Sequence, residues 1–172
     1  MGFVLVSGPN GSGKSIFAEQ IVAQTEGRRF YIATMKPQTQ DNFNRIEKHR
    51  KQREHLNFET LELPYELTSA PIDGDSIVLL EDVSNLFANA YFEKHGSVDS
   101  VFEDILLLKQ RCKMLIAVTI SDLVDNGYNE ETIAYINDLN SLNQRLFSVA
   151  DSAYLMAKGQ AICVKGENHA NS

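Results

Sequence analysis

Eight consecutive residues near the start of this chain have the types and order that hold the phosphates of a nucleotide. Gly8, Pro9, Asn10, Gly11, Ser12, Gly13, Lys14 and Ser15 spell GPNGSGKS and fit the pattern GxxxxGK[ST] in full. Glycines at such positions permit backbone angles and a closeness of approach that a Cβ forbids, so successive N–H groups can turn inward onto phosphate oxygens. Lys14 is then placed to reach the β- and γ-phosphates, and Ser15 to ligate Mg²⁺. A magnesium ion held in this way usually takes one carboxylate from the end of a neighbouring buried strand. The run IVLLED offers Glu81 and Asp82 at such a place, with Glu81 the expected ligand and Asp82 the expected cap of the next helix.

These residues need a frame, and the rest of the chain supplies one. GFVLVS ends at the loop as a short apolar run, and SIFAEQIVAQ follows it with Ile16, Ile21 and Val22 at helical spacing. FYIAT reads as a second strand, and DNFNRIEKHRKQRE as a polar helix carrying Phe43 and Ile46 on one face. FETLEL alternates as a half-buried strand does, and Pro64, Pro71 and Gly74 then break the chain. IVLLE and MLIAVT are continuous apolar runs, as expected of strands covered on both faces of a parallel sheet. VSNLFANAYF and VFEDILLLKQ are helical by period. Glu130 and Glu131 open a further helix on which Ile133, Ile136, Leu139, Leu142 and Leu146 recur. SAYLMA and AICVK close the chain as two strands around Gly159.

Strands alternating with helices predict an α/β fold: a three-layer P-loop NTPase-like domain with a mostly parallel central sheet flanked by helices. Ligands in such a sheet sit at the carboxyl ends of the strands. Residues 1–166 are expected to form this single nucleotide-binding domain, with 167–172 a polar tail.

Bulk properties narrow the function. At 172 residues and 43% apolar content the chain can bury a core without staples. A net charge of -7 argues against a surface built for a nucleic-acid backbone. Cys112 and Cys163 stand far apart without metal-ligand spacing, so both read as reduced thiols in or near the core. No stretch approaches a membrane span, which leads to the expectation of a cytoplasmic protein with no membrane partner.

The other motifs, in their order, resemble one family. SGKSxxAE at Ser12–Glu19, YIAT at Tyr31–Thr34, RIxxHxxxR at Arg45–Arg53, LLE at the end of the buried strand, and NQ followed by AD at Asn143–Asp151 are similar to the bifunctional adenosylcobinamide kinase / adenosylcobinamide-phosphate guanylyltransferases of cobalamin biosynthesis. The resemblance runs from Val4 to about Lys165. It implies phosphorylation of the aminopropanol hydroxyl of a corrinoid, adenosylcobinamide, followed by transfer of GMP from GTP onto that phosphate. It also implies ATP or GTP as donor, a guanylyl group carried on His49, and Thr34, Arg45, Arg53 and Glu81 in the nucleotide site. A homo-oligomer follows from the same likeness, a trimer with the His49 helix near a subunit boundary. By residue type alone, His49 in a charged helix reads as a solvated surface side chain, and so do His55, His95 and His169. A neutral imidazole is nevertheless a nucleophile near pH 7, and Arg45, Arg50 and Arg53 lie within one or two helical turns of it to neutralise phosphate charge.

The chain departs from the family pattern in several places. Gly11 stands where the loop of the family has arginine, and Phe58 where it has tryptophan. Ile133, Tyr135, Ile136, Asn137 and Asn140 stand in an arginine-rich segment, and ISDLVDNGYN replaces a tight turn followed by proline. Three functions therefore stay open: the two-step transferase, a kinase for another small alcohol with His49 structural, and a nucleotide-binding regulator. The complete Lys14, Ser15 and Glu81 set favours catalysis over binding alone.

Overall fold

A computed structural model of the chain describes residues 2–121, 123 and 126–166. Strand β1 (Gly2–Gly8) runs into the phosphate loop and helix α1 (Lys14–Ala23) leaves it. Strand β2 (Arg28–Ala33) leads to α2 (Gln40–Arg53), a short 3-10 turn (Glu54–Leu56) and β3 (Glu59–Glu62). Strand β4 (Ser76–Glu81) precedes α3 (Val83–Glu93) and α4 (Val98–Arg111), and β5 (Met114–Ile120) precedes α5 (Glu130–Val149). Strands β6 (Ser152–Ala157) and β7 (Gln160–Lys165) end the fold. His169 and the tail after Gly166 lie outside the described residues, as do three positions of ISDLVDNGYN.

The seven strands form one sheet in the order β3-β2-β4-β5-β1-β6-β7. Every neighbouring pair is parallel except β6 with β7. Alternation along the central strands splits the core in two. Val4, Val6, Ile77, Leu79, Ile116 and Val118 face one layer, where α1 packs with Phe17, Ala18, Ile21 and Val22. Leu5, Val78, Leu80, Leu115 and Ala117 face the other, covered by Leu86 and Phe87 of α3, Ile105 and Leu108 of α4, and Leu139, Leu142 and Leu146 of α5. Both faces are dry, which is why β4 and β5 read as unbroken apolar runs. The expected three-layer α/β arrangement is the one that forms.

Two details differ from the sequence reading. Ile16 is 51% exposed rather than on the buried stripe of α1, because the first turn of α1 stands at the rim of the loop. Phe43 is 54% exposed; α2 has no apolar stripe against the sheet, and among its residues only Arg53 is buried. Cys112 and Cys163 are free thiols, the first buried. Burial pushes the Cys112 thiol up to about 11, which keeps it protonated.

Candidate active site

The phosphate loop is shaped by two demands on its backbone. Gly8 ends β1 where a Cβ would lie 2.7 Å from Ser12 Oγ and 2.9 Å from the Met156 carbonyl oxygen, so β6 and the loop can close only around glycine. Gly13, the residue before α1, holds a left-handed conformation at φ 93 and ψ 17, which an L side chain rarely adopts. Gly159, in the turn between β6 and β7, donates its N–H to the Ser12 carbonyl at 3.1 Å and so braces the loop from outside. Lys14 Nζ donates to the Pro9 carbonyl at 2.8 Å. Burial lowers the affinity of Lys14 for its proton, and the nearby Asp82 and Glu81 oppose that shift.

Glu81 ends β4 opposite the loop. The Ser15 hydroxyl donates to Glu81 Oε1 at 2.5 Å, while Glu81 Oε2 is buried without a hydrogen-bond partner. Stripping a carboxylate of water costs several kcal/mol, and one hydrogen bond to a charged group returns only about 1.5–3 kcal/mol. Desolvation therefore wins, and it pushes the Glu81 carboxyl up to about 8. An orphaned carboxylate oxygen beside a hydroxyl is a donor set suited to a hard divalent cation. No cluster of three or more His, Cys, Asp or Glu occurs among the described residues. Two oxygen donors are enough for magnesium, which keeps most of its shell as water and phosphate oxygens. Asp82 caps α3 by accepting from the Asn85 N–H at 2.7 Å, as its sequence position suggested, and burial raises its pKa. The Glu81–Asp82 peptide bond is cis.

Helix α2 closes the site from the other side. Thr39 caps it by accepting from the Asn42 N–H. Arg45, His49 and Arg53 recur every four residues and so share one face. A single cavity of about 450 Å³ is lined by the loop from Asn10 to Ser15 together with Glu81, Asp82, Arg45, His49 and Arg53. The fold thus brings His49 and Lys14 to one space. Desolvation, then Arg45, Arg53 and Lys48, hold the His49 imidazole below its ordinary pKa, so the ring is neutral at pH 7. The Arg53 guanidinium, 6% exposed, lies 3.6 Å from the centre of the Tyr31 ring. That is cation–π geometry.

Other expected residues sit elsewhere. Gly8 and Pro9 shape the loop without lining the cavity. Thr34 is fully buried; its hydroxyl donates to the Glu81 and Asp82 carbonyls and accepts from the Asp82 N–H at 2.9 Å. It grips the end of β4. Asn143 accepts from Thr119 Oγ1 at 2.7 Å and donates to the Ile120 carbonyl at 3.0 Å, and Asp151 accepts from the Phe3 N–H at 2.7 Å. Asn143 of the NQ pair and Asp151 of the AD pair are thus engaged with strand backbone or strand side chains. His55 and His95 are exposed. Sequence reasoning did not single out Tyr31, Gln52, Glu62 or Asn85 as lining the cavity. Two of them carried a signal: Tyr31 heads the YIAT motif, and Gln52 lies three residues after His49 and so on the same helical face.

The site can be set beside known proteins. A family model described as cobinamide kinase / cobinamide phosphate guanyltransferase matches residues 4–164. The bifunctional adenosylcobalamin biosynthesis protein CobU of Escherichia coli (strain K12) is 26% identical over 180 residues, covering 94% of this chain and 99% of that protein. Among solved structures, a protein of Pyrococcus horikoshii OT3 superposes with a TM-score of 0.56 at 11% identity over 98% of this chain and 88% of its own. An ATPase from the type III secretion system of pathogenic bacteria gives a TM-score of 0.55 at 11% identity over 91% of this chain, which spans 51% of that ATPase. At such identities the two structures share the fold alone.

Proposed function

The chain belongs to the cobinamide kinase / cobinamide phosphate guanyltransferase family, nucleotide-using transferases of cobalamin biosynthesis, and from that premise we propose that it carries out both transfers on one corrinoid acceptor. The first is phosphorylation of the hydroxyl of adenosylcobinamide by ATP or GTP. The second is transfer of GMP from GTP onto the new phosphate through His49. The observation that carries the reading is the shared cavity, which His49 and the Lys14 loop both line.

In the kinase step the loop N–H groups from Asn10 to Ser15 and the Lys14 ammonium hold the β- and γ-phosphates, and the start of α1 adds its positive end. Ser15 and Glu81 would hold Mg²⁺, which when bound neutralises charge shared between those phosphates. Catalysis is then mainly placement and charge stabilisation. Thr34, named from the family motif, contributes by fixing Glu81 rather than by touching nucleotide.

In the guanylyl step the neutral His49 imidazole attacks the α-phosphorus of GTP. A P–N bond forms, the bond to the pyrophosphate oxygen breaks, and pyrophosphate leaves. The phosphate of the acceptor then attacks the same phosphorus, the P–N bond breaks, and imidazole is regenerated. Arg45 and Arg53 offset the charge of the transferred group. Splitting the displacement in two lets one cavity serve two acceptors in turn.

A second reading is phosphorylation of a different small alcohol. It is favoured by Tyr135, which stands where the family carries arginines and here stacks on Phe87 with ring centres 5.7 Å apart. We also read residues 1–166 as one domain acting in the cytoplasm as a homo-oligomer, a trimer by family likeness. No helix among the described residues is long and apolar enough to cross a membrane. Incubation with α-labelled GTP tests the main reading: acid-labile label on His49 is expected, and its absence removes the guanylyl half. Failure to phosphorylate adenosylcobinamide with either ATP or GTP removes the kinase half.

A further inference from the structure

Helix α2 carries His49 yet adds little to the core, and its attachment is concentrated in its last turn. There Gln52 Nε2 donates to Glu19 Oε2 of α1 at 2.9 Å, and Arg53 lies over Tyr31 of β2. Gln52 and Arg53 are three and four residues beyond His49, so the turn that is pinned is the one adjoining the imidazole on the same face. At the other end of the link, Glu19 is four residues beyond Ser15 and one turn along α1 from the phosphate loop.

Glu19 is a costly choice for its place. It is 6% exposed, with Phe17, Ala18, Ile21 and Val22 all buried around it on α1. An apolar side chain there would serve the packing of α1 better, since a buried carboxylate stabilises nothing unless it is paired. Its hydrogen-bond partner is the Gln52 amide; desolvation still raises the Glu19 pKa, and Gln52, Arg53 and His55 only offset part of that shift. The carboxylate is thus spent on holding one helix against another.

We infer that Glu19 is a positioning residue for the guanylyl step: through Gln52 it fixes α2 against α1, and so sets how His49 meets a nucleotide held by the loop. The inference rests on the reading of His49 as nucleophile. Glu19 is not among the residues that line the cavity. Its main effect belongs to the histidine step, through the placement of α2.

The test uses Glu19→Ala, Glu19→Gln, Gln52→Glu and the exchanged pair Glu19→Gln/Gln52→Glu, with two readouts. One is the single-turnover rate of His49 labelling from α-labelled GTP at saturating nucleotide; the other is amide hydrogen exchange across residues 45–53. Glu19→Ala is expected to slow labelling on the order of ten- to a hundredfold, as displacement of a reacting group by an ångström does, a larger loss than in phosphoryl transfer measured on the same preparation. Glu19→Gln still accepts from the Gln52 amide and labels at close to the wild-type rate. Gln52→Glu alone sets two carboxylates face to face and labels slowly, and the exchanged pair restores the hydrogen bond and the rate. Wild-type labelling in Glu19→Ala overturns the proposal, and so does an exchanged pair no faster than Gln52→Glu alone. If Glu19→Ala does not fold, that second comparison decides by itself. If the wild-type protein takes no label on His49, the guanylyl-histidine reading falls. The exchange readout then decides whether Glu19 holds α2: unaltered protection in Glu19→Ala overturns it, and lost protection recovered in the exchanged pair supports it.

Discussion

The Ser15 hydroxyl meets Glu81 Oε1 at 2.5 Å across 66 residues of chain, joining the first helical turn after the phosphate loop to the last residue of β4. The parallel pairing of β1 and β4 with β5 between them produces this contact, since all three strands end at the same edge of the sheet. One oxygen of Glu81 is satisfied there and the other is not, which leaves a buried acceptor for the Mg²⁺ proposed above.

Replacing Glu81 by glutamine should separate stability from function. The variant removes a desolvated carboxylate, so its melting temperature without divalent cation is expected to be no lower than wild type. Phosphoryl transfer should fall by about two orders of magnitude or more, with a higher Mg²⁺ requirement, because the carboxylate ligand is gone. Activity equal to wild type across a Mg²⁺ titration would remove Glu81 from the metal site.

Lys14 and His49 should divide the two reactions between them. Lys14→Ala is expected to lower phosphoryl transfer by roughly 10²–10³-fold, the loss typical of one charge-stabilising donor. His49→Ala should abolish the covalent guanylyl label while leaving phosphoryl transfer near wild type. Acceptor phosphorylation and label incorporation, measured on the same preparations, check both, and retained label in His49→Ala would point to another nucleophile.

The pH profile of labelling follows from the environment of His49. Only the neutral ring attacks, and burial together with Arg45, Arg53 and Lys48 depresses its pKa below the ordinary 6.5. As pH falls, the labelling rate should therefore hold through 6.5 and decline only below it. The stability link has the same sign. A depressed folded-state pKa gives a contribution present above the unfolded value and lost as pH falls through the folded one. Neutralising Arg45 with Arg45→Gln should move the acid limb of the rate profile upward.

Thr34→Val tests whether Thr34 positions or binds. Valine keeps the shape but strands the buried Asp82 N–H, which Thr34 Oγ1 accepts at 2.9 Å. A stability loss of about 1–3 kcal/mol is expected in denaturant titration, with the Mg²⁺ requirement rising because Glu81 is less firmly held. Unchanged stability with weakened nucleotide binding would instead make Thr34 a direct contact.

Local signals carried much of this protein. The phosphate loop is legible because its chemistry lies within eight adjacent residues, and the order of strands and helices because side-chain period is a local property. The cap role of Asp82 was readable for the same reason, being set by the residues that follow it. The family followed from several short motifs kept in sequence order. Phe43 misled because an apolar residue on a helix implies a buried face only where the helix packs on the sheet, and α2 instead turns its Arg45, His49 and Arg53 face to the cavity.

Tertiary structure decided what each motif is for. Thr34, Asn143 and Asp151 lie in motifs like those of a binding site, yet their hydrogen bonds run to the ends of β4, β5 and β1. Glu19 and Gln52, 33 residues apart, form one link, and no pattern in either segment announces it. Such pairings depend on which strands become neighbours and on where a connecting helix comes to rest. They are fixed by the free energy of the assembled core, a quantity summed over the whole chain, and a window of sequence does not contain it.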